Sequence, residues 1–283
     1  MGRMNAPIKG ADTLATVNPK VKDLGELDGD VLLFGGPYSN AHALRALLDV
    51  AEGLDFSPKN RICTGDALAY CGAPLETLAL MEGACEWLAG NCEKQLAAQA
   101  GACGCGFDDG SACDLLSKGW YPFASQAIGA DARARMGLCP DLIVFGNRGR
   151  RYGVVHGGFT DIARFLWPSS PEADFEQEFN ALEGELGVLD GIIAGHSGLA
   201  FERDLGGKSW INAGAIGMPP HDGRRQTRYV VLNEDGARIR RLDYDVAGAV
   251  RDMRQAGLVQ GYEVALETGF WPSDDILPQT LQA

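Results

Sequence analysis

The sequence predicts an α/β protein with its chemistry at strand ends, and three observations carry that prediction. Short apolar runs alternate with helix-period segments, as in "VLLFGGPYSNAHALRALLDV" at residues 31–50. Four apolar runs end in a polar residue flanked by glycine: "CTGDALAY", "LAGNCEK", "VVHGGF" and "IIAGHSG". The chain has 283 residues and 46% hydrophobic content, which suffices for a substantial core.

In chain order, residues 1–28 are polar without a sustained period, and they read as an arm with one short strand around residues 15–17. A single domain over residues 29–283 is expected to follow. It opens with strand 31–35, helix 40–52, strand 60–64, helix 74–83 and a short strand 86–89 ending at Gly90-Asn91. A cysteine-bearing insertion at about 93–120 reads as helix, glycine-rich loop, helix. A helical stretch at 130–137 precedes "DLIVF" and "RYGVVHG", two strands joined in hairpin style by "GNRGR". Residues 171–187 form an acidic amphipathic helix, and "GIIAGHSG" is a buried strand running into a loop. "SWINAGAIG", "TRYVVLNED" and "ARIRRLDYD" have the look of antiparallel strands, and a final helix at 246–256 leaves a short tail. No internal repeat or low-complexity linker divides the chain.

The net charge of −13 argues against a nucleic-acid polymer or an anionic membrane as partner, because both require clustered cations. The basic clusters, 148–151 and 224–228, are small. No apolar run approaches the roughly 20 residues of a membrane span, and no export signal is legible, so a cytoplasmic location is expected. The eight cysteines are then expected to be thiols or metal ligands.

The strand-end residues are Asp66, Asn91, His156 and His196. A carboxylate, an amide oxygen and two imidazoles make a mixed nitrogen and oxygen set that suits Zn, Fe or Mn. Each glycine beside them lets the backbone turn sharply where the side chain meets a cleft.

The order "GD…GN…HG…GH", with "WINAGAIGMPPHDG" further on, resembles the calcineurin-like metallophosphoesterases, in particular their compact bacterial diadenosine-tetraphosphatase-like and phosphodiesterase branch. The resemblance covers about residues 30–245. It implies a four-layer αββα sandwich of two mixed sheets packed face to face with helices outside. It also implies a two-metal hydrolytic site acting on a small phosphorylated metabolite or nucleotide. Asp66, Asn91, His156 and His196 match one metal's ligands. The other metal's Asp-x-His is here Gly36-Pro37-Tyr38, and its last histidine is Gly198, so "FGGPYSN" is similar to the emptied half of such a site. The histidine of the family's Gly-Asn-His motif is Cys92.

Cysteines are candidates for rebuilding the missing half. Cys71, Cys92, Cys103, Cys105 and Cys113 could supply thiolates, and Tyr38 a phenolate, to a second metal or an iron-sulfur centre. The spacing of the 103–113 trio lacks the paired form of a zinc ribbon, and buried structural thiols are the competing reading. Cys92, Asn91 and His221 are the candidate catalytic groups. The leading expectation is a metal-dependent phosphoesterase. The alternatives are a metal or redox sensor on the same fold, and an inactive family member.

Overall fold

The computed structural model describes residues 18–282. Two mixed sheets form its centre. One has six strands, β1 (Val21–Glu26), β5 (Leu142–Asn147), β6 (Arg150–Val154), β7 (Gly191–Ala194), β8 (Ala200–Leu205) and β9 (Lys208–Ala213), in the order β1-β5-β6-β7-β9-β8. The other has five, β2 (Val31–Phe34), β3 (Arg61–Cys63), β4 (Glu86–Trp87), β10 (Thr227–Asn233) and β11 (Gly236–Leu242), in the order β11-β10-β2-β3-β4.

The two-residue period of a strand explains the layering. In β2, Val31 and Leu33 point into the core between the sheets, whereas Leu32 and Phe34 point to the helices. In β10, Val230 and Leu232 take the inner face and Tyr229 and Val231 the outer one. Strands buried on both faces must be apolar at every position, so these runs show little alternation in the sequence. Helices α1 (Ala41–Gly53), α2 (Pro74–Met81) and α7 (Val246–Gln255) belong to the helix side of the five-stranded sheet. Helix α6 (Glu172–Leu186) covers the six-stranded sheet through Phe175, Phe179 and Leu182, with Trp210 fully buried against Phe175. Burying one such side chain contributes roughly 1.5–3 kcal/mol.

The segment predicted as helix, loop, helix forms α3 (Asn91–Ala97), a loop, and α4 (Ala112–Ala127), followed by α5 (Ala130–Leu138). The predicted hairpin is present too. β5 and β6 pair antiparallel about Arg148-Gly149, both with positive φ, as a tight two-residue hairpin requires.

Three expectations need correction. The compact structure does not begin at Gly29, because β1 lies within the predicted arm and pairs in parallel with β5. As an edge strand it buries only Leu24 and thus reads as polar. The predicted strand at residues 15–17 lies outside the described residues. The stretch after 256 is more than a tail, since it holds α8 (Tyr262–Thr268), and Tyr262 and Trp271 beyond it reach the functional site. The sequence reading also passed over β8, which forms a hairpin with β9 through Gly206-Gly207.

Candidate metal centre

Within each sheet, the strands that matter run in parallel, β3 with β4 and β6 with β7. Their C-terminal ends therefore lie together at one edge of the sandwich, where such folds place their sites. Asp66 follows β3, Asn91 follows β4, His156 follows β6 and His196 follows β7. The structure brings all four to one point. His156 Nε2 lies 3.0 Å from Asn91 Oδ1, 3.0 Å from His196 Nδ1 and 3.3 Å from Asp66 Oδ2.

Neighbouring groups fix which atoms face inward. His156 Nδ1–H donates to the Thr64 carbonyl at 2.6 Å, which leaves Nε2 with its lone pair toward the cluster. The Asn91 amide nitrogen donates to the Cys103 carbonyl at 3.0 Å and to Cys105 Sγ at 3.3 Å, so Oδ1 must point at His156. Four nitrogen and oxygen atoms thus converge, and all four are acceptors when His156 is neutral and His196 carries its proton on Nε2. All four residues are buried or nearly so. Burial and the neighbouring His156 push the His196 imidazole down to about 3, so it stays neutral, the form in which histidine binds metals.

This arrangement fits a metal ion. Ligand bonds of about 2.1 Å space ligands about 3.0 Å apart at right angles and about 3.4 Å apart in a tetrahedron. The spacings above match that range. Asp66, His156 and His196 also form the single grouping of three such side chains within 4.8 Å among the described residues.

Two features hold the set in place. Asp66 and His196 sit in the left-handed region at φ of 56° and 58°, a costly conformation that the surrounding structure must enforce. Glu93 does much of that for Asp66. Its buried carboxylate accepts from the backbone N–H groups of Asp66 (2.8 Å), Ala67 (2.9 Å) and Gly90 (2.8 Å), locking the turn after β3 to the turn after β4. Burial and the Asp66 charge raise the Glu93 carboxyl to about 7, against the pull of those N–H groups. The turns touch so closely that a Cβ on Gly90 would lie 2.3 Å from Asp66 Oδ1. Sequence reasoning missed Glu93. Its signal was an acidic residue three positions after the start of a helix, the acceptor half of a capping box.

The cysteines are not gathered as thiolate ligands. Cys103 and Cys105 are paired with each other as a disulfide across Gly104, so neither offers a thiolate; both lie against Asn91, and Cys105 also lines the cavity beside Asp66 and His196. Cys71 is buried with its sulfur 3.8 Å from the Gly217 carbonyl, and burial holds its thiol protonated. Burial, then the Asp66 charge, raises the Cys92 thiol in the same way, and its sulfur is not part of the grouping of Asp66, His156 and His196. Its backbone N–H is the part that serves the site, donating to Asp66 Oδ1 at 3.1 Å. Cys113 reaches the cavity beside the site, but burial raises it to about 11. No second grouping able to hold another metal or an iron-sulfur centre occurs among the described residues.

Tyr38 and His221 also differ from expectation. The Tyr38 ring fills the space over Gly36, where an added Cβ would lie 2.3 Å from Cζ. Burial and the Asp66 charge raise its phenol well above the ordinary range in the metal-free protein, where it is a hydrogen-bond donor. His221 does not line the cavity. Its Nδ1 accepts from the Trp271 backbone N–H at 2.8 Å, and the ring packs beside Phe270 and Trp271, holding the C-terminal segment over the site. His42 is partly packed, 3.0 Å from Asp252.

A cavity of about 50 Å³ opens beside Asp66 and His196, with Tyr38, Tyr70, Phe165 and Trp271 in its wall. That is room for about three to five waters. Among the described residues no helix is long and apolar enough to cross a membrane.

No family model matches the chain, and no curated protein matches it. Among solved structures it is similar to a hypothetical protein from Pyrococcus horikoshii OT3, with a TM-score of 0.70 and 14% identity over 85% of this chain and 98% of that one. It is also similar to a metallophosphoesterase from Sphaerobacter thermophilus, with a TM-score of 0.64 and 19% identity over 85% of this chain and 99% of that one. At such identities the likeness is one of fold, and the chain has the metallophosphoesterase fold, the α/β sandwich of two mixed sheets that its calcineurin-like strand-end motifs foretold.

Proposed function

We propose that the protein is a metal-dependent phosphoric ester hydrolase acting on a small phosphorylated substrate from a single metal site. The observation that carries this reading is the convergence of Asp66, Asn91, His156 and His196 on one point, where all four offer lone pairs to a cation once His156 is neutral and His196 is protonated on Nε2. A Zn, Fe or Mn ion held by these four residues supplies Lewis-acid polarisation of a phosphoryl oxygen and an acidified water.

The chain's own groups do the rest. Among the described residues Asp66 brings the one negative charge to the cavity wall, and its Oδ1 accepts from the Cys92 N–H. Thr64 and the Cys103–Cys105 loop fix the directions of His156 and Asn91, which preorganises the set. The Tyr38 hydroxyl stands on the same wall as a protonated donor able to bond a phosphoryl or leaving-group oxygen. The aromatic rings around it exclude bulk water and so strengthen each of these interactions.

The test is metal content per chain together with hydrolysis of bis(4-nitrophenyl) phosphate, for wild type and for Asp66→Asn. About one equivalent of Fe, Zn or Mn, with turnover that Asp66→Asn abolishes, is the expected result. A chain that takes up no metal after reconstitution, or that turns over equally well without Asp66, rules the reading out.

A further inference from the structure

The wall of the cavity beside Asp66 and His196 limits the charge of what can enter. Rings of Tyr38, Tyr70, Phe107, Phe165, Tyr262 and Trp271 contribute much of it, and among the described residues no lysine or arginine lines it. Arg164, next in sequence to Phe165, is engaged by Glu178 at 2.6 Å and Asp174 at 3.0 Å. Asp66 is the single carboxylate in the wall among the described residues. Ordinary phosphate-binding sites surround a dianion with guanidinium, ammonium or clustered backbone N–H groups, and none of the cationic groups is present here.

The site's charge count is then short. A divalent ion brings two positive charges, Asp66 takes one away, and Asn91 and the two imidazoles are neutral, which leaves one. A phosphodiester carries one negative charge, whereas a phosphomonoester carries about 1.5 to 2 at neutral pH. A monoester would leave excess negative charge in a buried aromatic cavity, and an uncompensated buried charge is costly.

Resting on the phosphoesterase reading above, we infer that this site selects singly charged phosphodiesters bearing a flat or apolar substituent over dianionic phosphomonoesters, the substituent lying against the Phe165, Tyr262 and Trp271 wall. The wall offers such a group ring faces and no competing charge. The cavity of about 50 Å³ is small and open on one side, so the substituent extends toward its mouth along the Trp271 segment.

The experiment compares methyl phenyl phosphate, with one ring and one charge, with phenyl phosphate, with one ring and about two. Both are titrated calorimetrically into manganese-loaded wild type at neutral pH, and turnover of bis(4-nitrophenyl) phosphate is compared with that of 4-nitrophenyl phosphate. We expect the diester to bind and turn over on the order of 10²-fold better. In Ser273→Lys, which puts a cation at the cavity rim, the monoester should gain about tenfold while the diester stays within about twofold. Trp271→Ala should weaken the diester about tenfold and the monoester less. Equal or tighter binding of the monoester to wild type overturns the inference while leaving the hydrolase reading intact. Binding of neither compound to metal-loaded protein, without turnover, overturns both.

Discussion

Two loops leave the same edge of the five-stranded sheet side by side, and they have opposite fates. The loop after β2 is "GGPYS" and the loop after β3 is "TGDAL". Their backbones are locked together, with Gly36 N–H donating to the Gly65 carbonyl (3.1 Å), Tyr38 N–H to Asp66 (3.2 Å) and Ser39 N–H to Ala67 (2.8 Å). Tyr38 and Asp66 even share the left-handed conformation, at φ of 53° and 56°. Yet one loop offers a carboxylate to the cluster of His156, His196 and Asn91, and the other folds an aromatic ring over its own glycine. The lesson is that two neighbouring loops of like backbone conformation differ in what they present, and side-chain chemistry decides which of them offers a carboxylate to the cluster.

The largest effect should come from the liganding side. Asp66→Asn is expected to lower turnover on the order of 10³-fold and to release the metal, read by elemental analysis of the purified variant. Full activity in that variant would break the comparison at its root. On the other side, Tyr38→Phe should retain one equivalent of metal and the fold while lowering kcat by about 10²-fold, the usual cost of one donor to a developing negative charge. A metal content that falls with Tyr38→Phe would instead make the two loops alike as ligand donors.

Smaller effects probe what holds the loops. Glu93→Gln puts an amide where three backbone N–H groups converge, so one or more donors lose their acceptor. The expected cost is about 1–3 kcal/mol, seen as a lowered Tm, with a 10- to 100-fold weaker metal affinity. Removing the metal with a chelator should lower the wild-type Tm by an amount set by occupancy, about 2.7 kcal/mol where free metal had been at 100 times its Kd. Asp66→Asn should show no such chelator response. The mildest case is Gly36→Ala. The new methyl collides with the Tyr38 ring at a positive φ, and a loss of about 1–2 kcal/mol with metal content unchanged is expected from thermal unfolding with parallel elemental analysis.

Much of the site was legible because each of its four members carries a local signal. Asp66, Asn91, His156 and His196 each follow an apolar run and neighbour a glycine, and that pattern survives in one dimension. The supports carry no such signal. Glu93 acts on turns that lie 27 residues before it and three before it, and a sequence shows no hydrogen bonds. The cysteines misled for the opposite reason, since proximity along the chain suggested ligands. Only coordinates reveal that Cys103 and Cys105 face each other and that burial keeps the remaining site-region thiols protonated. His221, a candidate catalytic group from the sequence, turns its ring to Trp271 instead of the cluster. At the edges of the fold, β1 was hidden because an edge strand with one buried residue looks like a polar arm.

The sequence by itself determined the layering, the strand ends and the residue types that meet there, because hydrophobic period and glycine placement are properties of neighbours along the chain. Tertiary structure alone decided which lone pairs converge, which ring covers Gly36, and that a C-terminal segment more than 70 residues after His196 walls the cavity. Those outcomes depend on distances between segments remote in sequence, and such distances exist only once the two sheets have closed on their shared core.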